Sequence, residues 1–309
     1  MTDHDNLSFS ADRSAAAGDL PTGPSTGRRR HRLARLAGIL LVLLMVGLVV
    51  GPIAYVGLPR EIARWHLAAA IERRLNGDLD AAIRSLDHLI AQSPDNEELL
   101  AERASWRLEN QQYATALADA NRALQIAPGD ARALVLRSQI LQHLGRHSDA
   151  IQDWQQLVVM AENGLAVSLT EALNGRAYAR ALGGVELKEA LDDVEEALRR
   201  AGDNAAMLDT RGFIHCQLGS TAAALADLDK SVRLAEEGHE EYSRNLNNGR
   251  LGAVDPREYE LGLKQLAETV AVIRYHRALV YAKLGKQELQ DQDEQRVREL
   301  GFAPNQDLF

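Results

Sequence analysis

From Arg60 onward the sequence repeats itself at intervals of 34 residues, the length of one helix–turn–helix unit. The plainest pair is Asp119 to Pro128 and, 34 residues earlier, Ser85 to Pro94. Pro94 and Pro128 close their helices and start the next unit, because proline cannot continue a helix interior. A turn marker recurs at Gly77-Asp78, Gln111-Gln112, Gly145-Arg146, Gly183-Gly184, Gly219-Ser220 and Gly285-Lys286. After it comes a small residue and then an apolar one: Ala82-Ile83, Ala116-Leu117, Ala150-Ile151, Ala190-Leu191 and Ala224-Leu225. The small side chain lets the second helix approach the first. Such units cannot bury an apolar face singly and must stack. Aromatic residues make up only 5% of the chain, which favours helices over a sheet core.

These residues resemble the tetratricopeptide repeat family over roughly residues 61–304, in about six units: 63–96, 97–130, 131–164, 170–204, 205–238 and 271–304. The resemblance implies an all-α chain, an α-solenoid of antiparallel helix pairs in a right-handed superhelix. The fourth unit has one extra residue in its Gly183-Gly184 turn, and the sixth puts Gln290-Asp291 where small and apolar residues are expected. Its polar second helix, Glu288 to Leu300, suits a solvated end cap. Residues 239–270 are an insertion. Asp255-Pro256 reads as an N-cap with proline at the first helical position, opening a helix that continues to Leu284. The preceding helix extends to about Asn245, so the insertion predicts a long helical hairpin jutting past the array, with a loop at Asn247-Asn248-Gly249 and Gly252.

An Arg recurs in the first helix of five units and an Asp in the second: Arg103 with Asp119, Arg137 with Asp153, Arg176 with Asp193, Arg211 with Asp227 and Arg277 with Asp293. The spacing is 16, and 17 in the fourth unit with its longer turn. Residues equidistant from the turn of an antiparallel hairpin lie at one height, so each Arg should face its Asp. The pair would fix register more than it adds stability, since desolvation opposes attraction.

Chemistry-bearing constellations are missing from the sequence. His143 and His147 have a metal-ligand spacing, but Gly145 ends the helix between them. His215 and Cys216 are helix neighbours, pointing about 100° apart, and make no catalytic dyad. The carboxylates Asp192, Asp193, Glu195 and Glu196 read as a solvated helix face. No phosphate loop, nucleophile elbow or dinucleotide fingerprint occurs. Neither an enzyme, a metal nor a cofactor is expected. The single cysteine allows no intrachain disulfide.

Residues 1–35 form a basic tail, six Arg against four Asp, and 36–309 then carry 29 basic and 40 acidic residues. That acidic body argues against nucleic acid as a partner. Leu36 to Leu58 holds no charged residue in 23 positions. As a helix it spans about 35 Å, enough for a bilayer core of about 30 Å, and is longer than the apolar core of a signal peptide. Small residues near its end, Ala54 and Gly57, leave cleavage open. Residues 36–58 are therefore expected to be a single transmembrane helix. The Arg28–Arg35 cluster puts the N-terminus in the cytoplasm and the repeats on the other side, periplasmic in a bacterium.

In the tetratricopeptide family the first helices usually line a concave groove for an extended peptide or partner helix. The matching positions are Glu98, Glu102, Arg132, Gln139, Gln142, Tyr178, Asp209, Phe213, Gln217 and Tyr275. Tyr178, Phe213 and Tyr275 either anchor a partner or belong to the core. Glu98, Glu102 and Glu109 make an acidic mouth that favours a basic or neutral segment, with Arg132 beside it to take a carboxylate. The family's carboxylate clamp for chaperone C-termini is not matched, since its places hold Leu67, Ile71 and Glu102. The sequence thus predicts a membrane-tethered interaction scaffold for a protein or peptide. The alternative is an accessory or regulatory subunit of a membrane-associated enzyme or assembly.

Overall fold

The computed structural model describes residues 64–303 apart from 166, 251 and 253. The basic tail and the expected transmembrane segment, 1–35 and 36–58, lie outside the described residues. None of the described helices is long and apolar enough to cross a membrane.

The described residues form helices and connecting turns, with no strand among them. The first helix, α1, occupies 64–75. It is followed by α2 (Leu79–Gln92), α3 (Glu97–Glu109), α4 (Tyr113–Ile126), α5 (Ala131–His143) and α6 (His147–Glu162). Then come α7 (Leu169–Gly183), α8 (Leu187–Ala201), α9 (Ala205–Gln217), α10 (Thr221–Asn247), α11 (Pro256–Lys283) and α12 (Gln287–Glu299). Odd-numbered helices are the first of each pair. Asn96, Asp130, Ser168, Asn204 and Asp255 start five of them, each side chain accepting a hydrogen bond from a backbone N–H of the first turn. The intra-unit turns need a left-handed residue, supplied by glycine at Gly77, Gly145, Gly219 and Gly285. The second unit departs from this rule: Gln111 takes φ 58° there, a strained conformation for a residue with a side chain.

The small residues of the repeat, Ala82, Ala116, Ala150, Ala190 and Ala224, are all fully buried where paired helices touch. Around them runs a core of Leu86, Leu134, Ile140, Leu157, Val194, Ile214 and Leu228. In α12 only Asp293 and Val297 are buried, so its remaining surface faces solvent.

Two departures from regular stacking interrupt the array. The first is the insertion. Helices α10 and α11 form the long hairpin, stapled by the stacked rings of Tyr242 and Tyr259 at 3.9 Å. It does not simply project beyond the array. Arg257, at the start of α11, donates to Glu72 Oε1 at 2.6 Å and to Asn76 Oδ1 at 2.7 Å, which tie it to the end of α1. Asp255 orients the same guanidinium from the other side, at 2.8 Å. The hairpin tip thus bridges the sixth unit to the first.

The second departure lies between the third and fourth units. The linker 163–168 is two residues longer than its counterpart 127–130, and α6 is two residues longer than α4. Trp154 occupies the place held by Ala120 one unit earlier, following the buried Asp. Across from it, a Cβ on Gly175 would lie 2.5 Å from the indole ring, so only glycine admits the ring there. Whereas α3 packs on α5, α7 on α9 and α9 on α11, α5 and α7 barely touch.

Candidate functional site

The five Arg–Asp pairs meet across their hairpins. Arg103 Nε and Nη2 bind Asp119 Oδ2 and Oδ1 at 2.8 and 2.6 Å, and Arg137 holds Asp153 at 2.9 and 2.5 Å in the same bidentate way. Arg176 with Asp193, Arg211 with Asp227 and Arg277 with Asp293 repeat the geometry at 2.6–2.8 Å. Every one of these aspartates is buried. Burial works against the charge of Arg103, but the hydrogen bonds it donates to Asp119 and then Asp87 outweigh it and hold the guanidinium above its ordinary value.

The remaining guanidinium nitrogen reaches back to the preceding unit. Arg103 Nη1 binds Asp87, Arg137 Nη1 binds Asn121, Arg176 Nη1 binds Gln155 and Arg277 Nη1 binds Asp229. Each acceptor stands two places after the register position of the paired Asp. That second polar column, Asp87, Asn121, Gln155, Glu195 and Asp229, was a visible signal in the sequence. These arginines therefore lock units to one another as well as helices within a unit.

On the first-helix face an aromatic cluster joins three units. The Phe213 ring stacks on His276 at 4.3 Å and 19°, and Tyr178 meets the pair at 6.5 and 6.2 Å. Beneath them His276 Nδ1 lies 2.8 Å from Asp209 Oδ1, with both side chains buried. Tyr178 and Phe213 are half-buried. Burial, and then the charge of Asp209, pushes the Tyr178 phenol above its ordinary value, so the ring stays a neutral donor.

Beside Tyr178 the separation of α5 from α7 leaves an open cleft of about 600 Å³. Gln139 and Gln142 line it from α5, Trp154 from α6, Asn174 and Tyr178 from α7, and Met207 from α9. Among the described residues no group of three His, Cys, Asp or Glu side chains is placed to hold a metal ion.

No protein-family model matches the sequence, and no curated protein does either. The likeness lies in solved structures. PilW, a widely conserved type IV pilus biogenesis factor, superposes with a TM-score of 0.53 at 14% identity, over 80% of this chain and 96% of that one. A tetratricopeptide repeat protein from Parabacteroides merdae does so at 0.51 and 16%, over 78% and 93%. The chain has the tetratricopeptide-repeat fold. MamA from Desulfovibrio magneticus aligns over a shorter stretch, 57% of this chain, with a TM-score of 0.49.

Within this tetratricopeptide-type array the groove positions read from sequence divide into three sets. Gln139, Gln142 and Tyr178 come together at the cleft. Phe213 sits with Tyr178, but Asp209 is buried under the cluster and engaged by His276, so it is floor rather than lining. The rest are dispersed or occupied. Gln217 donates to the Ala181 carbonyl at 2.8 Å, and Tyr275 is half-buried on α11, its phenol raised by burial and by Glu294. The acidic mouth is largely neutralised: Arg132 binds Glu102 at 2.8 Å and Arg74 binds Glu109 at 2.8 Å, while Glu98 is exposed. Arg132 is thereby already engaged by a carboxylate of its own chain. Trp154, Asn174 and His276 escaped the sequence reading. For His276 a signal existed, since the residue preceding the repeat Arg is buried at Leu136 and Thr210 as well.

Proposed function

We propose that the array is a protein-interaction scaffold that holds an extended polypeptide segment along its first-helix face, centred on Tyr178 and Phe213. One observation carries this reading: the half-buried ring of Tyr178 lines an open cleft and meets the half-buried ring of Phe213, with a buried Asp209–His276 pair packed against both. Rings held in this way offer apolar area at little entropic cost, the usual make-up of a binding hot spot. The uncharged run 36–58 would tether the array to a bilayer, with the repeats on the non-cytoplasmic side. Tethering concentrates a bound partner near the membrane, so even a micromolar groove suffices.

The test is partner capture from cross-linked membranes. Changing Tyr178 and Phe213 together to Ala should abolish capture while helical circular dichroism holds. Undiminished capture sinks the groove reading. Topology is tested by an alkaline phosphatase fusion after Phe309, which is active only if the repeats are exported. A second reading makes the hairpin the working surface of a regulatory subunit. The tie from Arg257 to Glu72 and Asn76 favours it, because it gives the hairpin a fixed attachment to the first unit. Deleting 247–254 would then abolish capture where the aromatic variant does not.

A further inference from the structure

The α5–α7 cleft is an irregularity of the array. The longer linker and the close Trp154–Gly175 packing of α6 on α7 lie beside the gap between α5 and α7, which stays open. Its lining has a distinct chemistry. Gln139 and Gln142 are three residues apart on α5 and so share one face, and Asn174 lines the cleft from α7. Val135, Val167 and Met207 supply apolar wall, and Glu171 is the single charged residue of the lining.

Two residues of that wall carry a buried polar atom with no hydrogen-bond partner: Trp154, only 9% exposed, through its donor Nε1, and Asn174 through its acceptor Oδ1. Buried polar groups are ordinarily satisfied, and leaving them so costs stability. A peptide group carries the complement of each, a carbonyl for an indole N–H and an N–H for a carboxamide oxygen. Carboxamides pair with peptide groups in the same two-way fashion and carry no charge. An anionic ligand is disfavoured by Glu171, with no cation in the lining to answer it. A cleft of about 600 Å³ also lies within the ordinary range for bound ligands.

We infer that this cleft is a subsite for an uncharged internal stretch of an extended polypeptide. Gln139, Gln142 and Asn174 hold the backbone amides, and Val135, Val167 and Met207 receive one apolar side chain. The inference rests on the interaction-scaffold reading and supplies its partner chemistry: an interior segment, selected by one apolar residue and by the absence of nearby acid.

The probe is the capped peptide Ac-Ser-Gly-Ala-Leu-Ala-Gly-Ser-NH2, titrated into the full chain in detergent micelles. The readout is the indole N–H resonance of Trp154, one of three tryptophans in the chain and assignable with Trp154→Phe. The expected result is a saturable shift of that resonance, with the other two unmoved. Replacing the central Leu of the peptide with Glu should weaken binding at least tenfold. So should Gln139→Ala with Gln142→Ala, two residues outside the core whose loss leaves the fold intact. Thr170→Trp, which fills the cleft, should abolish the shift. An unmoved Trp154 signal, equal affinity for the Glu peptide, or unchanged binding in the double glutamine variant overturns the assignment. Tighter binding of a peptide ending at the Leu with a free carboxylate overturns the choice of an internal segment. The two readings can fail separately. If the Tyr178/Phe213 variant loses partner capture while the glutamine variant binds the probe normally, the cleft falls and the groove stands. If the probe behaves as expected but the aromatic variant still captures its partner, the cleft stands and the groove falls.

Discussion

Asp119→Ala tests whether the arginine ladder holds the array together. Asp119 is 5% exposed and accepts three charged hydrogen bonds, from Arg103 Nε at 2.8 Å, Arg103 Nη2 at 2.6 Å and Arg107 Nη1 at 2.5 Å. Removing it leaves two guanidinium groups, with side chains 15% and 17% exposed, short of their main partner. Breaking a fully buried pair costs about 3–5 kcal/mol. Here Asp87 still accepts from Arg103 at 2.8 Å and is itself 44% exposed, so water and a remaining partner lower the cost. The expected loss is about 2–3 kcal/mol, which for an array of this size lowers Tm by roughly 4–12 °C. Thermal and urea melts followed by circular dichroism read the total. Hydrogen exchange should show the lost protection first in α3 and α4, because solenoid stability is local. Asp95→Ala is the control: its pair with Arg122 is solvent-exposed, and its loss should cost no more than about 0.5 kcal/mol. Changing Arg103, Arg107 and Asp119 together to Leu should recover most of the loss, since the desolvated charges leave as a set. If Asp119→Ala melts within about 0.5 kcal/mol of the parent, the ladder is not structural. If the triple variant is no better than the single one, the loss came from packing rather than from stranded charge.

Gln111→Gly should raise stability by about 1 kcal/mol by relieving the left-handed φ of 58° at that turn, read as a Tm increase; no increase would mean the turn relaxes without cost. Gly175→Ala should cost about 1–3 kcal/mol because its Cβ meets the Trp154 ring, and adding Trp154→Phe should return part of it; an Ala variant melting like the parent would refute the close packing beside the cleft. The hairpin tie should depend on pH and salt. Arg257 holds Glu72 and Asp255 below their ordinary carboxylate values, so the tie is complete above those values and lost as pH falls through the lowered ones. Spin labels at Ile71 and Glu260, with Cys216 replaced by Ser, should report one distance at pH 7 and a broadened distribution in acid or about 1 M salt; an unchanged distance would show that packing, not charge, holds the tip.

The 34-residue period by itself determined the helix pairs, because small residues after each turn and caps before each first helix act over a few residues. The facing of Arg103 with Asp119 and of its four counterparts was equally legible, since equal distance from a turn fixes height in a hairpin. The long helices α10 and α11 followed from a capped, proline-free run. Other features needed contacts between units. The reach of each repeat Arg to the preceding unit, the burial of Asp209 under His276, and the engagement of Arg132 by Glu102 depend on how one pair of helices is set against the next. The cleft lies beside a linker and a helix that are each two residues longer than their counterparts, and no local pattern reveals what such lengths do to the spacing between units. The tie between Arg257 and Glu72 joins residues 185 apart in sequence. It forms where the inserted hairpin, built of the long helices α10 and α11, reaches the end of α1. Periodicity specifies each unit, whereas the angle between units is a sum over side-chain volumes and linker lengths, and only the folded array evaluates that sum.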